Sequence, residues 1–172
     1  KKGRFPENFA DLLQLKGVGN YTAAAIASFS FGESVPAIDG NVNRVISRAF
    51  GIYEPQDSNA GKAAIKAKAE ELIKSADPAA FNQAMMEFGA MHCTPKNPKC
   101  DECFFLKNCV AFQNNDVAIL PAKSKKAAVK DVWMVYFFIH HKGQTYIKRR
   151  DESGIWKGLY DFPVVESDST ID

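Results

Sequence analysis

Cys93-Thr94-Pro95-Lys96-Asn97-Pro98-Lys99-Cys100-Asp101-Glu102-Cys103-Phe104-Phe105-Leu106-Lys107-Asn108-Cys109 contains every cysteine of the chain, in the spacing C-x6-C-x2-C-x5-C. Thiolates gathered on one short irregular loop can converge on a single inorganic centre. Four of them suit a cubane iron–sulfur cluster or a tetrahedral zinc. Structural zinc sites usually show two short CxxC-type knuckles, and only Cys100-x2-Cys103 has that form, so the spacing favours the cluster. Two disulfides are the third reading; the chain is long enough for a real core and shows no signal peptide, which weighs against a small stapled domain. Pro95 and Pro98 stiffen the loop, and Lys96 and Lys99 make it positive. The combination reads as a metal centre that shapes a basic loop to meet an anion.

The 172 residues are 46% hydrophobic and 24% charged, an ordinary globular composition that allows one domain or slightly more. A net charge of +2 neither requires nor excludes a nucleic-acid partner, so any binding face depends on local clustering. No apolar run reaches membrane-spanning length, and a soluble, intracellular, monomeric protein with no membrane partner is expected. The chain begins at Lys1 without an initiating Met and stops at Asp172, which reads as a fragment of a longer protein.

Upstream of the cysteines the pattern is helical. Pro6 to Leu15 reads as a short amphipathic helix and Tyr21 to Phe31 as an Ala-rich one stopped by Gly32. Further helices are expected from Asp39-Gly40-Asn41 to Gly51, over 60–75, and from Pro78 into the cysteine loop. After Cys109 the character changes. Residues 113–130 read as a polar, basic linker with Pro121 and Lys123, Lys125 and Lys126, for which solubility is the plainer role. Val132 to His140 is a β-type run that Gly143 turns back into a strand at 145–147, with a third strand around 159–165. Helices followed by strands predict two domains, a helical one over 1–112 and a β-containing one over 131–172.

Leu15-Lys16-Gly17-Val18-Gly19 lies between two predicted helices. Glycines there let the backbone turn sharply and approach a ligand closely. The following helix presents its first N–H groups as an anion site, so Gly17, Val18 and Gly19 are candidate phosphate contacts that read no base sequence. A plain helix–helix connection explains the glycines equally well. Asp39 is a candidate catalytic carboxylate, and an N-cap is its plainer reading. Arg44 and Arg48 read as surface or ion-paired residues, His92 as a weak candidate ligand beside a complete set of four, and Trp133 and Trp156 as core.

Taken together these segments resemble a known family. Leu15-Lys16-Gly17-Val18-Gly19-Asn20-Tyr21-Thr22-Ala23 looks like the helix-hairpin-helix of the endonuclease III superfamily of DNA glycosylases, and Asp39-Gly40-Asn41-Val42-x-Arg44-Val45 like its catalytic-aspartate segment. The cysteines match its [4Fe–4S] loop. Within it the chain most resembles the adenine DNA glycosylases, through the D-G-N-V form, Met86-Glu87-Phe88-Gly89-Ala90 before Cys93, Tyr21, and Gly154-Ile155-Trp156-Lys157-Gly158-Leu159-Tyr160-Asp161-Phe162-Pro163, which resembles a motif of that family's Nudix-like domain. Lys16 departs from a proline common in the hairpin.

The resemblance implies a mainly α fold: a helix-hairpin-helix glycosylase domain with an iron–sulfur loop, followed by the start of an α+β Nudix-like domain. It implies base-excision repair, with hydrolysis of the N-glycosidic bond of adenine mispaired with 8-oxoguanine or guanine in double-stranded DNA. Asp39 would stabilise the cationic sugar, Asn41 would orient Asp39, and Tyr21 would stand where bifunctional relatives carry the lysine that forms a Schiff base. Lys96 and Lys99 would hold phosphate, and Cys93, Cys100, Cys103 and Cys109 would ligate the cluster. The general-acid glutamate is expected upstream of Lys1, so this piece by itself is expected to be inactive. The competing readings are an endonuclease III-like glycosylase/lyase and a non-catalytic iron–sulfur DNA-binding module.

Overall fold

The computed structural model describes residues 3–125, 131–151, 156–167 and 169. The chain divides after Lys125 into two compact units. The first is helical: α1 (Phe9–Leu12), α2 (Asn20–Phe31), α3 (Gly40–Phe50), α4 (Asn59–Ile73), α5 (Pro78–Met91) and α6 (Val110–Gln113), with two 3₁₀ turns at Cys100–Glu102 and Leu106–Asn108.

The sequence sets these boundaries through their caps. Asn8, Asp39, Ser58 and Asp77 each accept a first-turn N–H at the start of α1, α3, α4 and α5. Gly32 and Gly51 end α2 and α3 in the left-handed region, at φ 67° and 65°, which only glycine enters without strain. The first helix is shorter than predicted. The chain leaves it after Leu12 through turn bonds from Gln14 N–H to Asp11 O and Leu15 N–H to Leu12 O.

Two small cores hold the unit. Leu12, Ala23 and Ala27 pack with Phe9, Leu15, Val18, Ile26 and Val35, tying the turn between α1 and α2 to both helices. Val42, Ile46, Ile65 and Ala69 pack with Ile38, Phe50, Met85 and Met86, joining α3, α4 and α5. Ala23, Ala24 and Ala27, with Ser28, are the buried positions of α2.

The segment predicted as a linker is divided. Leu120 is buried, Gln56 N–H donates to Ala122 O (2.9 Å), and Asp57 Oδ1 accepts from both the backbone N–H (2.9 Å) and the hydroxyl (3.0 Å) of Ser124. Residues up to Lys125 therefore belong to the helical unit, and Lys126 with the rest of the span to 130 lies outside the described residues. A sequence reading sees only polarity here; the anchor is one apolar side chain and a distant carboxylate.

The two Ser124 hydrogen bonds hold the Asp57 carboxyl below its usual range. A carboxylate lowered by folding stabilises above its ordinary value and loses that contribution as pH falls through the lower folded value. We expect the Ser124 amide-proton shift to titrate with a midpoint below about 3.9. A midpoint at or above that value would show that the clasp does not select the carboxylate.

The second unit is antiparallel β. Strand β1 (Trp133–Tyr136) pairs with β6 (Val164–Ser167), from Trp133↔Ser167 to Tyr136↔Val164. Strands β2 (His140–His141) and β3 (Gln144–Thr145) form a hairpin, and β4 (Lys148–Arg149) pairs with β5 (Tyr160–Asp161). Lys142 and Gly143 at the hairpin tip both have positive φ, 49° and 77°, the combination that matches strand twist in two-residue turns. The single long run predicted from Val132 to His140 is thus split, and its first half pairs with the last strand, not with the segment after Gly143. Trp133 and Trp156 are 50% and 55% exposed, not core. Trp156 lies under the Arg150 guanidinium at 5.5 Å, and Arg150 reaches Asp161 (3.1 Å) and Glu166 (2.9 Å). Gly154 and Ile155 of the motif lie outside the described residues.

Candidate functional site

Asp39 is the N-cap of α3. Its Oδ1 accepts from Asn41 N–H (2.9 Å) and Val42 N–H (2.8 Å), and its Oδ2 accepts from Asn41 Nδ2 (2.9 Å). Capping therefore occupies one oxygen, while the Asn41 side chain fixes the other. The carboxylate is half-buried and its orientation is set by three donors. Asn41 thus meets Asp39 through both its backbone N–H and its side-chain amide.

Asn41 is held in turn. Its Oδ1 accepts from Arg44 Nη2 (2.9 Å), and the same nitrogen donates to Gly89 O (2.6 Å) while Arg44 Nε donates to Cys93 O (2.7 Å). Arg44 is buried, and burial, before its neighbours, lowers the guanidinium from its ordinary range. One turn on, Arg48 is 3% exposed. It donates to Leu120 O (2.9 Å), Thr94 O (2.8 Å) and Pro95 O (3.3 Å), with Nη1 3.5 Å from Cys93 Sγ. Of the two readings offered for Arg44 and Arg48, surface or ion-paired, the surface one is corrected: both are buried and donate to backbone carbonyls of the cysteine loop. Their spacing places them on one face of the helix, but their acceptors outside α3 lie 45–72 residues away in sequence. Four-residue spacing between two arginines on one helix was the available signal.

Asn82 was also missed. Fully buried on α5, it accepts from Ala37 N–H (2.9 Å) and donates to Val35 O (3.0 Å) and Ser28 Oγ (2.9 Å). It thereby locks the extended strand of chain that delivers Asp39 to α3. Gly89 lies where α3 and α5 meet: a Cβ there would stand 2.6 Å from Asn41 Cβ and 3.0 Å from Asn41 O. Gly89→Ala is expected to cost about 1–3 kcal/mol by forcing the helices apart. Because the displaced residue is Asn41, it should lower turnover of the intact protein as well as its melting temperature. An unchanged melting temperature would contradict the tight approach.

Tyr21, on the first turn of α2, is 43% exposed and donates to Met86 Sδ at 3.3 Å. Met86 and Gly89 are three apart on α5, so Tyr21 and Asn41 border the same helix. Gly17 turns the hairpin at φ 86°, and both it and Gly19 are exposed, with Val18 partly covered. Gly19 caps α2 with no side chain. Lys96 and Lys99 are exposed on the loop, whose path is set by Lys99 N–H to His92 O (3.1 Å) and Thr94 Oγ1 to Lys96 O (2.9 Å).

All four cysteines are free thiols and partly buried, which removes the disulfide reading. They line one cavity of about 480 Å³ between α3, α5 and the loop. Burial pushes the Cys100 thiol up, and the neighbouring Cys93, Cys109 and Cys103 add to it. Among the described residues no three His, Cys, Asp or Glu side chains close round a point that would seat a single ion. Four thiolates lining one cavity of this size suit a cubane cluster, in which each iron takes one thiolate and inorganic sulfides bridge the irons. The residues therefore fit an iron–sulfur group.

Residues 93–109 match the family described as the iron-sulfur binding domain of endonuclease III. The chain is 35% identical over 164 residues to the adenine DNA glycosylase of Buchnera aphidicola subsp. Schizaphis graminum, covering 93% of this chain and 46% of that protein. It is 36% identical over 176 residues to that of Arabidopsis thaliana, covering 94% of this chain and 28% of that protein. It thus spans less than half the length of either relative. Among solved structures, a thermostable thymine-DNA glycosylase superposes with a TM-score of 0.59 at 36% identity, over 66% of this chain and 52% of that one. With a four-cysteine loop, a glycine hairpin and a capped aspartate on one helical scaffold, the chain is similar to the endonuclease III-type glycosylases, and along most of its length to the adenine DNA glycosylases.

Proposed function

We propose that this chain forms the central part of a base-excision repair enzyme, a monofunctional adenine DNA glycosylase acting on adenine opposite 8-oxoguanine or guanine. The observation that carries the reading is Asp39: a carboxylate at a helix N-terminus whose two oxygens are oriented by three donors. Breaking the bond to adenine builds positive charge on the deoxyribose, and a fixed carboxylate stabilises that charge as it develops. Protonation of the departing base is assigned to no residue of this chain.

The target bond is inaccessible in a duplex, so the adenine is flipped out of the stack. The backbone of Gly17, Val18 and Gly19 and the first turn of α2 hold one phosphate, and Lys96 and Lys99 hold others. Tyr21 supplies no amine, so no imine with the sugar forms and water completes the reaction. The cluster is of the [4Fe–4S] type, held by Cys93, Cys100, Cys103 and Cys109, and shapes the basic loop. The β unit is the start of a Nudix-like domain, and the protein works as an intracellular monomer.

The test is a pair of assays on the intact protein. It should release adenine from a duplex with adenine opposite 8-oxoguanine and leave an abasic site, with no adduct trapped by borohydride. Release of an oxidised pyrimidine with a trapped adduct would install the glycosylase/lyase reading instead. DNA binding without release of any base would leave a binding module.

A further inference from the structure

His92 is the last residue before Cys93 and caps the C-terminus of α5. Its ring lines the same cavity as the four sulfurs and stacks on Phe88, with centroids 5.1 Å apart and planes 15° apart. Phe88 is itself covered by Phe104 at 5.1 Å. The imidazole is therefore fixed in place by aromatic packing. Its Nε2 is shut off from solvent and has no hydrogen-bond partner among the described residues. A buried polar nitrogen left unmade costs about 1–3 kcal/mol, and such a group in a native protein points to something the protein atoms do not include.

Resting on the cluster reading above, we propose that His92 is a positioning residue that donates an Nε2–H hydrogen bond to a sulfur of the iron–sulfur group, tuning its reduction potential without ligating it. Four cysteines already supply the four ligands of a cubane, so the histidine has no iron to bind. A sulfur at the edge of the cluster is an acceptor that the cavity brings within the reach of this ring. A donor to sulfur stabilises the more electron-rich state of the cluster and so raises its potential.

The chain purified with its cluster is compared with His92→Phe, which keeps the stack on Phe88 and removes the donor, and His92→Gln, which restores an N–H. Iron, sulfide and visible absorption are expected to be the same in all three. His92→Phe should lose roughly tenfold in the reduction equilibrium, about 59 mV toward negative potential for one electron, and His92→Gln should recover part of it. Equal potentials in cluster-loaded proteins would overturn the proposal and mean that Nε2 meets only water. Loss of iron confined to His92→Phe would overturn it in favour of ligation. Pulsed EPR of the unsubstituted protein, its cluster reduced by one electron with dithionite to the paramagnetic state and its histidine isotope-labelled, is independent of how the variants fold. A weak nitrogen coupling supports the hydrogen bond, while a strong coupling or none overturns it. Absence of iron and sulfide from the unsubstituted protein would remove the cluster reading itself, and this proposal with it.

Discussion

Asp39→Asn in the intact protein is expected to lower the rate of adenine release by about 10²–10³-fold or more, the usual loss when one preorganised electrostatic group is removed from a reacting centre. The same substitution should barely change the melting temperature. Asparagine caps helices about as well as aspartate, and its carbonyl oxygen can still accept from the N–H groups of Asn41 and Val42, which Oδ1 now meets at 2.9 and 2.8 Å. The substitution therefore separates the two roles of this side chain. A cap that merely starts α3 loses little when its charge is removed; a carboxylate facing a developing cation loses nearly everything. Full activity in a stably folded Asp39→Asn protein would leave Asp39 as a cap and transfer the chemistry elsewhere. A fall in stability matching the fall in rate would implicate folding instead. DNA affinity is the third readout, since the proposed phosphate contacts lie at other residues and should survive.

The second large effect concerns the arginine one turn beyond Arg44. Arg48→Met should destabilise the helical unit by about 3 kcal/mol or more and reduce the iron retained per chain. Methionine approximates the stem and leaves the carbonyl oxygens of Thr94, Pro95 and Leu120 without their donor. Each buried acceptor stranded in this way costs about 1–3 kcal/mol, and the losses are not additive because the loop can partly relax toward water. Arg48→Lys should rescue little. One ammonium cannot span acceptors that the guanidinium fork reaches at 2.9, 2.8 and 3.3 Å. Iron analysis and thermal unfolding on the cluster-loaded protein check both variants. Wild-type iron content and stability in Arg48→Met would show that the thiolates alone organise the loop. Because Arg44 performs the parallel task nearer Asp39, the pair makes α3 a physical link between the cluster loop and the carboxylate. Damage at the loop should therefore be felt at Asn41.

Much of this was legible in the chain. Helix starts and stops were read from Asp39, Pro78, Gly32 and Gly51 because caps and left-handed glycines act within four residues of themselves. The cysteine loop announced its chemistry because ligand spacing is a local property. Polarity, by contrast, was a poor guide to burial. Arg44, Arg48 and Asn82 are buried, and their burial is hard to read from the sequence because most of their partners come from outside their own helices. Trp133 and Trp156 erred in the opposite direction: their hydrophobicity predicted a core, yet the strands of the described β unit leave both half exposed. Strand pairing failed for a related reason. The β-type run from Val132 to His140 shows that a strand lies there but not that the mate of Trp133–Tyr136 is Val164–Ser167.

Local interactions, then, were written in the residues themselves: where α2, α3 and α5 begin, that four thiolates share one loop, and that an aspartate opens a helix. Only the packed chain decided that Arg44 is tied to Gly89 and Cys93 beside Asn41, that two buried guanidinium groups hold the cysteine loop, and that His92 lines the sulfurs' cavity. Those facts depend on hydrogen bonds that span as many as 72 residues. Their free energy appears only once apolar side chains from α3, α4 and α5 have brought the partners together and excluded water.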